Sequence, residues 1–510
     1  MTAVASSDNT LFGHPRGLYV LFFAEMWERF SFYGMRALLV LYLTQHFLFD
    51  DRVAGNIYAT YGSMVYLMPI IGGFIADRYL GFRRAVTFGA VLLCCGHLLM
   101  AFEGVAAAVV DGQVIRDETA LTVMYFALAF IIIGVGFLKP SISSIVGQLY
   151  GEDDPRRDQG FTIFYMGINA GALSAMLLCG WLGQTYGWAY GFGLAGLGML
   201  AGLATFVRGR ALFNGVGEPQ DPARLHERVG GVTRETLIYI AGAVAVLGAW
   251  VLMQYREFVG GLLGFTSAAA VAGIVWYALA RCSKVERDRM FVVLYLTVVS
   301  VVFWTFFEQA GTSMTLFTER NVDKVVSGVA MQASQMGFMN PLFIILLAPV
   351  FSVAWAYLSG RGWEPSTPMK FGLGVVQVGL GFAALVIGAG YADGGGQVAL
   401  IWLALAYLLH TTGELCLSPV GLSMVTRLSV TKVVGLMMGV WFLSSAAAHY
   451  VAGVIAAFAA VDKAPGTTVD PLASLPVYAS TFEALAWVGV GVGLLVMVSA
   501  PFVRKFMHEH

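Results

Sequence analysis

EMWERFSFYGMR runs from Glu25 to Arg36, inside an apolar segment that begins near Gly17 and continues to about Phe49. On an α-helix each residue advances ~100°, so Glu25, Glu28, Arg29, Phe32 and Arg36 fall on one stripe roughly 100° wide. Two carboxylates and two guanidinium groups therefore share one face of an otherwise hydrophobic helix. Each such charge near a bilayer centre costs about 2.5–3.5 kcal/mol on insertion scales. The stripe must face a protein interior or a water-filled cavity. Alone, it fits either a structural ion-pair network or an ion or substrate pathway.

The rest of the chain supplies the bilayer. Of its 510 residues 58% are hydrophobic and 12% charged, and the mean hydropathy is +0.75. Soluble domains carry about 25% charged residues, so the sequence reads as an all-α, polytopic membrane protein. A net charge of −1 gives no reason to expect a nucleic-acid partner. The five cysteines show no disulfide or zinc spacing, and no metal site is expected. The first apolar run is too long for a signal peptide, and no cleavage-like site follows it. A span needs about 20 apolar residues. Fourteen are expected, at 17–48, 53–76, 84–103, 120–148, 158–184, 187–208, 234–255, 259–281, 290–318, 328–358, 370–393, 398–427, 433–461 and 478–503.

Loop charge sets the expected orientation. With the N-terminus taken as inside, outer segments hold only Arg52, Arg116, Arg256, Arg320, Lys324 and Lys463. Every other Lys or Arg lies on the inner side, except Arg29, Arg36 and Lys139 within spans. Both termini are thus expected in the cytoplasm, in a multi-pass protein of the cell (inner) membrane. Six spans (15–208) precede a polar cytoplasmic linker (209–233), an extra two-helix hairpin (234–281) follows, and six more spans fill 285–508. Two six-helix halves are the usual transporter repeat, with the binding site at their interface near the midplane. The hairpin carries almost no intramembrane charge and is read as peripheral.

Further polar groups sit in spans at corresponding positions of the two halves. Lys139 precedes Pro140 in span 120–148, about 28 Å along it at 1.5 Å per residue. Depth alone leaves snorkelling to the surface open. Trp304 and Glu308 stand at i, i+4 in FWTFFEQ; His410, Glu414 and Ser418 follow at i+4 steps in HTTGELCLSP. His97 and His449 are read as packing residues, and His410 is ambiguous because it shares a face with Glu414. Four acids (Glu25, Glu28, Glu308, Glu414) meet three bases (Arg29, Arg36, Lys139). A set this nearly balanced can exchange partners when one acid takes a proton, as alternating access coupled to protons requires. A zwitterion would turn its carboxylate toward Arg29, Arg36 and Lys139, and its ammonium toward Glu414. In GGFIADRYLGFRR, Gly72 to Arg84, the glycines allow close helix approach, and Asp77 and Arg78 are expected to latch neighbouring helix ends.

GGFIADRYLGFRR resembles the loop 2–3 signature of the major facilitator superfamily, and EMWERFSFYG resembles the ExxERFxYYG signature of the proton-dependent oligopeptide transporter (POT, or PTR) family. FTIFYMGINAGALSAMLLCGWLGQTYGWAYGFG, Phe161 to Gly193, is similar to that family's helix 5–6 signature. GFLKP, FWTFFEQ, NPLFIILLAP and GELCLSPVGLS match in order. The resemblance covers about 15–208 and 285–505. It implies a major facilitator fold with two added helices and proton-driven import of di- and tripeptides. No cofactor beyond the proton gradient is implied, and the carrier is taken to work as a monomer.

Carried over residue by residue, the resemblance gives Glu25, Glu28 and Arg29 to proton coupling, joined by Glu308. Arg36 with Glu308, and Lys139 with Glu414, match gate pairs. Arg36 and Lys139 match groups that take the peptide carboxylate. Glu414, Asn169 and Asn340 match groups near its amino terminus, with Ser418 on the same helix face as Glu414. Tyr33, Tyr66, Trp304 and Trp441 match pocket walls. There are two departures: Phe32 stands where many members have the first Tyr of YYG, and Ala59 stands where animal members have a histidine. The rivals are another solute on the same carrier (an amino acid, a drug or nitrate), a transporter-like sensor, and an intramembrane enzyme. An anion carrier has no need of Glu25, Glu28 and Glu414, and neither HExxH nor a membrane GxSxG is present, so no enzyme is expected.

Overall fold

The computed structural model describes residues 10–151, 154–326, 328–464 and 466–508. Fourteen long helices follow in order: α1 Arg16–Gln45, α2 Asp51–Ile75, α3 Phe82–Met100, α4 Glu118–Gln148, α5 Arg157–Tyr186, α6 Trp188–Gly209, α7 Arg234–Gln254, α8 Arg256–Arg281, α9 Lys284–Phe307, α10 Met339–Gly360, α11 Thr367–Gly390, α12 Leu400–Leu428, α13 Val434–Ala456 and α14 Pro471–Met507. Among the described residues thirteen helices are long and apolar enough to cross a membrane unaided. The fourteenth, α1, has the length but carries the charged stripe.

Several of the helices start where a side chain accepts from their first N–H groups. Asp117 caps α4 by accepting from Thr119 and Ala120, both at 3.0 Å. Ser283 and Glu286 close a capping box on α9, and Asp470 with Pro471 opens α14. Most ends fall within a few residues of the expected spans. Three do not. The last helix begins at Pro471 rather than 478. The helix expected from 328 begins at Met339, after a 3₁₀ turn over Ala333–Phe338. The expected span 290–318 is broken: α9 ends at Phe307, a 3₁₀ turn covers Glu308–Gly311, and a short helix resumes over Ser313–Asn321.

Two compact units emerge from the packing. The first takes the chain up to Tyr42 and then Met64–Tyr255; the second takes Leu43–Ser63 and everything from Arg256. The boundary runs through the middle of α2 and between α7 and α8.

In the first unit α3 packs on α4 and α6, α5 on α6, and α7 against α4. Phe88 of α3 meets the rings of Phe137 and Tyr239, holding α3, α4 and α7 together. The linker after α6 is tied to the start of α3. The Arg83 guanidinium donates to the Val216 carbonyl at 2.5 Å and to Glu218 at 2.9 Å, and Arg84 lies 3.2 Å from Glu235. Asp77 accepts from Gln220 at 3.4 Å. The loop 2–3 arginines thus grip the linker, where sequence reading put the latch on Asp77 and Arg78.

In the second unit α11 lies along α14 and α12, α9 packs on α11, α13 and α14, and α8 on α13. A buried ion pair closes one end. Arg320 donates to both oxygens of Asp51, at 2.6 and 2.7 Å, and to the Tyr478 hydroxyl at 2.6 Å. Asp51 also accepts the Val461 N–H at 3.1 Å.

Candidate functional site

In the first unit the charged stripe of α1 is buried. Glu25 and Arg29 are each 4% exposed and Glu28 is 0% exposed. Arg29 fills the space between the two acids unequally. Its Nη2 donates to Glu28 Oε1 at 2.7 Å and its Nε to Glu28 Oε2, a two-point clasp. Its Nε lies 3.3 Å from Glu25 Oε1, while Glu25 Oε2 accepts no hydrogen bond among the described residues. The guanidinium stands over the Phe32 ring, 5.0 Å from its centroid. Phe32, read as a missing hydroxyl, thus offers Arg29 a π-face. Gly171 of α5 lets that helix close on α1, since a Cβ there would run into the Met26 carbonyl.

Lys139 holds its ammonium 4.2 Å from the centre of the Tyr66 ring. It lies near enough to feel the charges of Glu25, Glu28, Arg29 and Arg36. It therefore sits with the stripe's charge cluster. Tyr33 meets Phe32 edge-on at 5.4 Å and leans on the core formed by Phe30, Ala175, Cys179 and Ala195. Tyr33, Arg36 and Tyr66 are half-buried. Asn169 is buried, with its amide donating to the Tyr165 carbonyl at 3.1 Å.

The second unit holds the other half of the residue set. Asn340, in the first turn of α10, donates to Glu414 Oε2 at 3.0 Å and to the Thr411 hydroxyl at 3.1 Å. Trp304 packs edge-on against Phe303 and Phe307. Trp441 is buried against Gly421, where a Cβ would come within 2.5 Å of the indole. Ser418 is half-buried. Glu308 opens the 3₁₀ turn that breaks the helix and is 3% exposed. Gln309 bridges the break, donating to the Ala452 carbonyl at 3.0 Å and accepting from Ser313 at 2.7 Å. Interrupted helices of this kind mark transporter binding regions.

Sequence reasoning missed one partner. His449 Nε2 lies 3.3 Å from Glu308 Oε2, so His449 is not a bystander of packing. Only the i+4 run around Glu414 drew attention to a histidine, and it pointed to His410. His410 instead meets the Val378 carbonyl at 3.1 Å and packs against Phe382 and Phe307. His97 is buried with neither ring nitrogen hydrogen-bonded among the described residues.

A model of the POT family matches residues 83–471. The peptide transporter YePEPT of Yersinia enterocolitica is 37% identical over 473 residues, covering 89% of this chain and 90% of that protein. A di-/tripeptide transporter of Lactococcus lactis is 33% identical over 529 residues, covering 100% of both. A crystal structure of a peptide transporter POT in complex with alafosfalin superposes with a TM-score of 0.81 at 36% identity, covering 98% of this chain and 97% of that one. With a family model spanning most of its length and relatives this similar from end to end, the chain belongs to the POT family and has its major facilitator fold.

Proposed function

We propose that the protein imports di- and tripeptides together with protons, by alternating access between its two halves. The observation that carries this is the split of charge. Arg29, Arg36 and Lys139 belong to the first unit, while the second offers Glu308 and a Glu414 carboxylate whose hydrogen-bond donor is the neutral Asn340. Across a shared cavity, such a split suits a solute with an anionic end and a cationic end. A buried charge left unpaired costs several kcal/mol, so both peptide ends contribute to recognition. Lys139 and Arg36 take the carboxylate; Glu414, Asn340 and Asn169 line the place of the ammonium, with Ser418 beside them. Tyr33, Tyr66, Trp304 and Trp441 wall the side chains. Glu25, Glu28, Arg29 and Glu308 handle the proton, and Arg36–Glu308 and Lys139–Glu414 close the two gates in turn.

The carrier works as a monomer in the inner membrane with both termini in the cytoplasm, driven by the proton gradient without a cofactor. Its working halves are 15–208 and 285–508, joined by the linker 209–233 and the hairpin 234–281. The test is uptake of labelled dialanine into proteoliposomes with and without an inward proton gradient, competed by free, N-acetylated and C-amidated dipeptides. Free dipeptides are expected to compete and blocked ones to compete weakly. Equal competition by N-acetylated peptides would remove Glu414 from its role.

A further inference from the structure

We propose that His449 and Glu308 together form a one-proton site and that His449 is a proton-carrying residue of the transport cycle. The inference rests on the proposed proton coupling but adds a residue to it.

The argument is one of donors and acceptors. His449 Nδ1 lies 3.0 Å from the Ser445 carbonyl oxygen, one turn back on α13. A carbonyl oxygen can only accept, so Nδ1 carries a hydrogen. In a neutral imidazole the other nitrogen, Nε2, then presents a lone pair. That lone pair faces Glu308 Oε2 at 3.3 Å. An ionised carboxylate is acceptor-only as well, so two acceptors meet in a site where Glu308 is 3% and His449 5% exposed. The arrangement is satisfied by one added proton, as an imidazolium facing a carboxylate or as an imidazole facing a carboxylic acid. Without it, two lone pairs confront each other away from water, where electrostatic interactions are strong.

The surroundings hold the ring in this pose. Gly62 on the first part of α2 faces the imidazole, and a Cβ there would overlap its Cδ2. One turn on, a Cβ at Gly453 would strike Ala59. Thr305 donates to the Ala448 carbonyl at 3.3 Å, and Gln309 to that of Ala452. α9 and its 3₁₀ turn are thereby fixed to α13 on both sides of His449.

The other ionisable groups on the elements around the pair can be named. Glu414 on α12 feels the charge of Glu308. His410, on the same helix, is held at the Val378 carbonyl. Tyr58 on α2 sits against Gly311. Arg256 at the start of α8 stands over the Tyr450 ring of α13, 5.1 Å from its centroid. Lys432 lies just ahead of α13. Arg36 enters as the gate partner proposed for Glu308. A proton on the pair is held between His449 and Glu308, and its departure to cytoplasmic water removes the hydrogen that joins them.

The test uses the full-length carrier in proteoliposomes, with dialanine exchange at equal pH measured beside uptake driven by a pH gradient. His449→Gln is expected to keep exchange and the KM for dialanine, to lose accumulation above equilibrium, and to flatten the pH profile of uptake. His449→Asn is expected to do the same. Glu308→Gln with His449→Gln is expected to be no worse in accumulation than either single change, since both remove the same proton. If wild-type protein does not exchange dialanine, the peptide reading fails. If it does, and His449→Gln still concentrates dialanine with the wild-type pH profile, this inference fails. ¹⁵N spectra of histidine-labelled wild-type carrier give a readout that needs no functional variant. A His449 signal protonated at Nδ1 at every pH supports the site, and a neutral ring protonated only at Nε2 overturns it.

Discussion

Glu25 and Glu28 hold the same guanidinium unequally, so their glutamine variants are expected to fail in different ways. Glu28 accepts two N–H groups of Arg29. Hydrogen bonds involving charged groups contribute about 1.5–3 kcal/mol each. Glu28→Gln removes the charge and one acceptor oxygen from a buried pair, a kind of break that costs about 3–5 kcal/mol. Glu25 has a single contact with Arg29, at 3.3 Å, and its second oxygen accepts no hydrogen bond among the described residues. Glu25→Gln gives up one long contact and relieves a half-satisfied buried carboxylate, a net cost of about 1 kcal/mol or less. Heating the detergent-solubilised variants beside wild type measures the difference, with dialanine exchange and gradient-driven uptake measured in parallel. Glu25→Gln is expected to fold and exchange normally while losing accumulation. Glu28→Gln is expected to melt earlier and lose both activities. Equal destabilisation by the two variants, or accumulation surviving in Glu25→Gln, refutes the reasoning.

Lys139→Gln is expected to abolish both exchange and uptake, because it removes a charge from the cluster above Tyr66 and the proposed partner of Glu414. Cysteines placed at 139 and 414 are expected to cross-link in one substrate or pH condition, and failure under all conditions ends the pairing. Asp51→Asn is expected to lower thermal stability by about 3–5 kcal/mol by stranding Arg320, and adding Arg320→Met is expected to recover most of it. A double variant as unstable as Asp51→Asn alone shows that the pair is not what holds that end.

The charged stripe of α1 is legible in the sequence because helical spacing and the cost of intramembrane charge act within a dozen residues. The fourteen helices are legible for the same reason: each is a local run of apolar residues. What escapes is whatever depends on a distant partner. Nothing near His449 in the chain marks it, since Glu308 lies on another helix. Arg320 looks like one more outer-loop arginine until Asp51 and Tyr478 are placed around it. Phe32 reads as a loss, because a missing hydroxyl is visible in a motif and a ring beneath a guanidinium is not. The break after Phe307 is hidden as well. Glu308–Ser313 contains no proline, and the turn is held by Gln309 reaching across to α13.

The unit boundary inside α2 has a consequence for cutting the chain. Asp51 through Ser63 are N-terminal in sequence but pack with the C-terminal helices. A gene split in the linker would make a C-terminal polypeptide without its own Asp51, and Arg320 would enter its buried site with only Tyr478 to meet it. That polypeptide cannot complete its core from its own residues. Co-expressed with the N-terminal piece, it recovers the missing helix in trans. The second half of this carrier thus needs the first part of α2, carried on the N-terminal piece, to complete its packing.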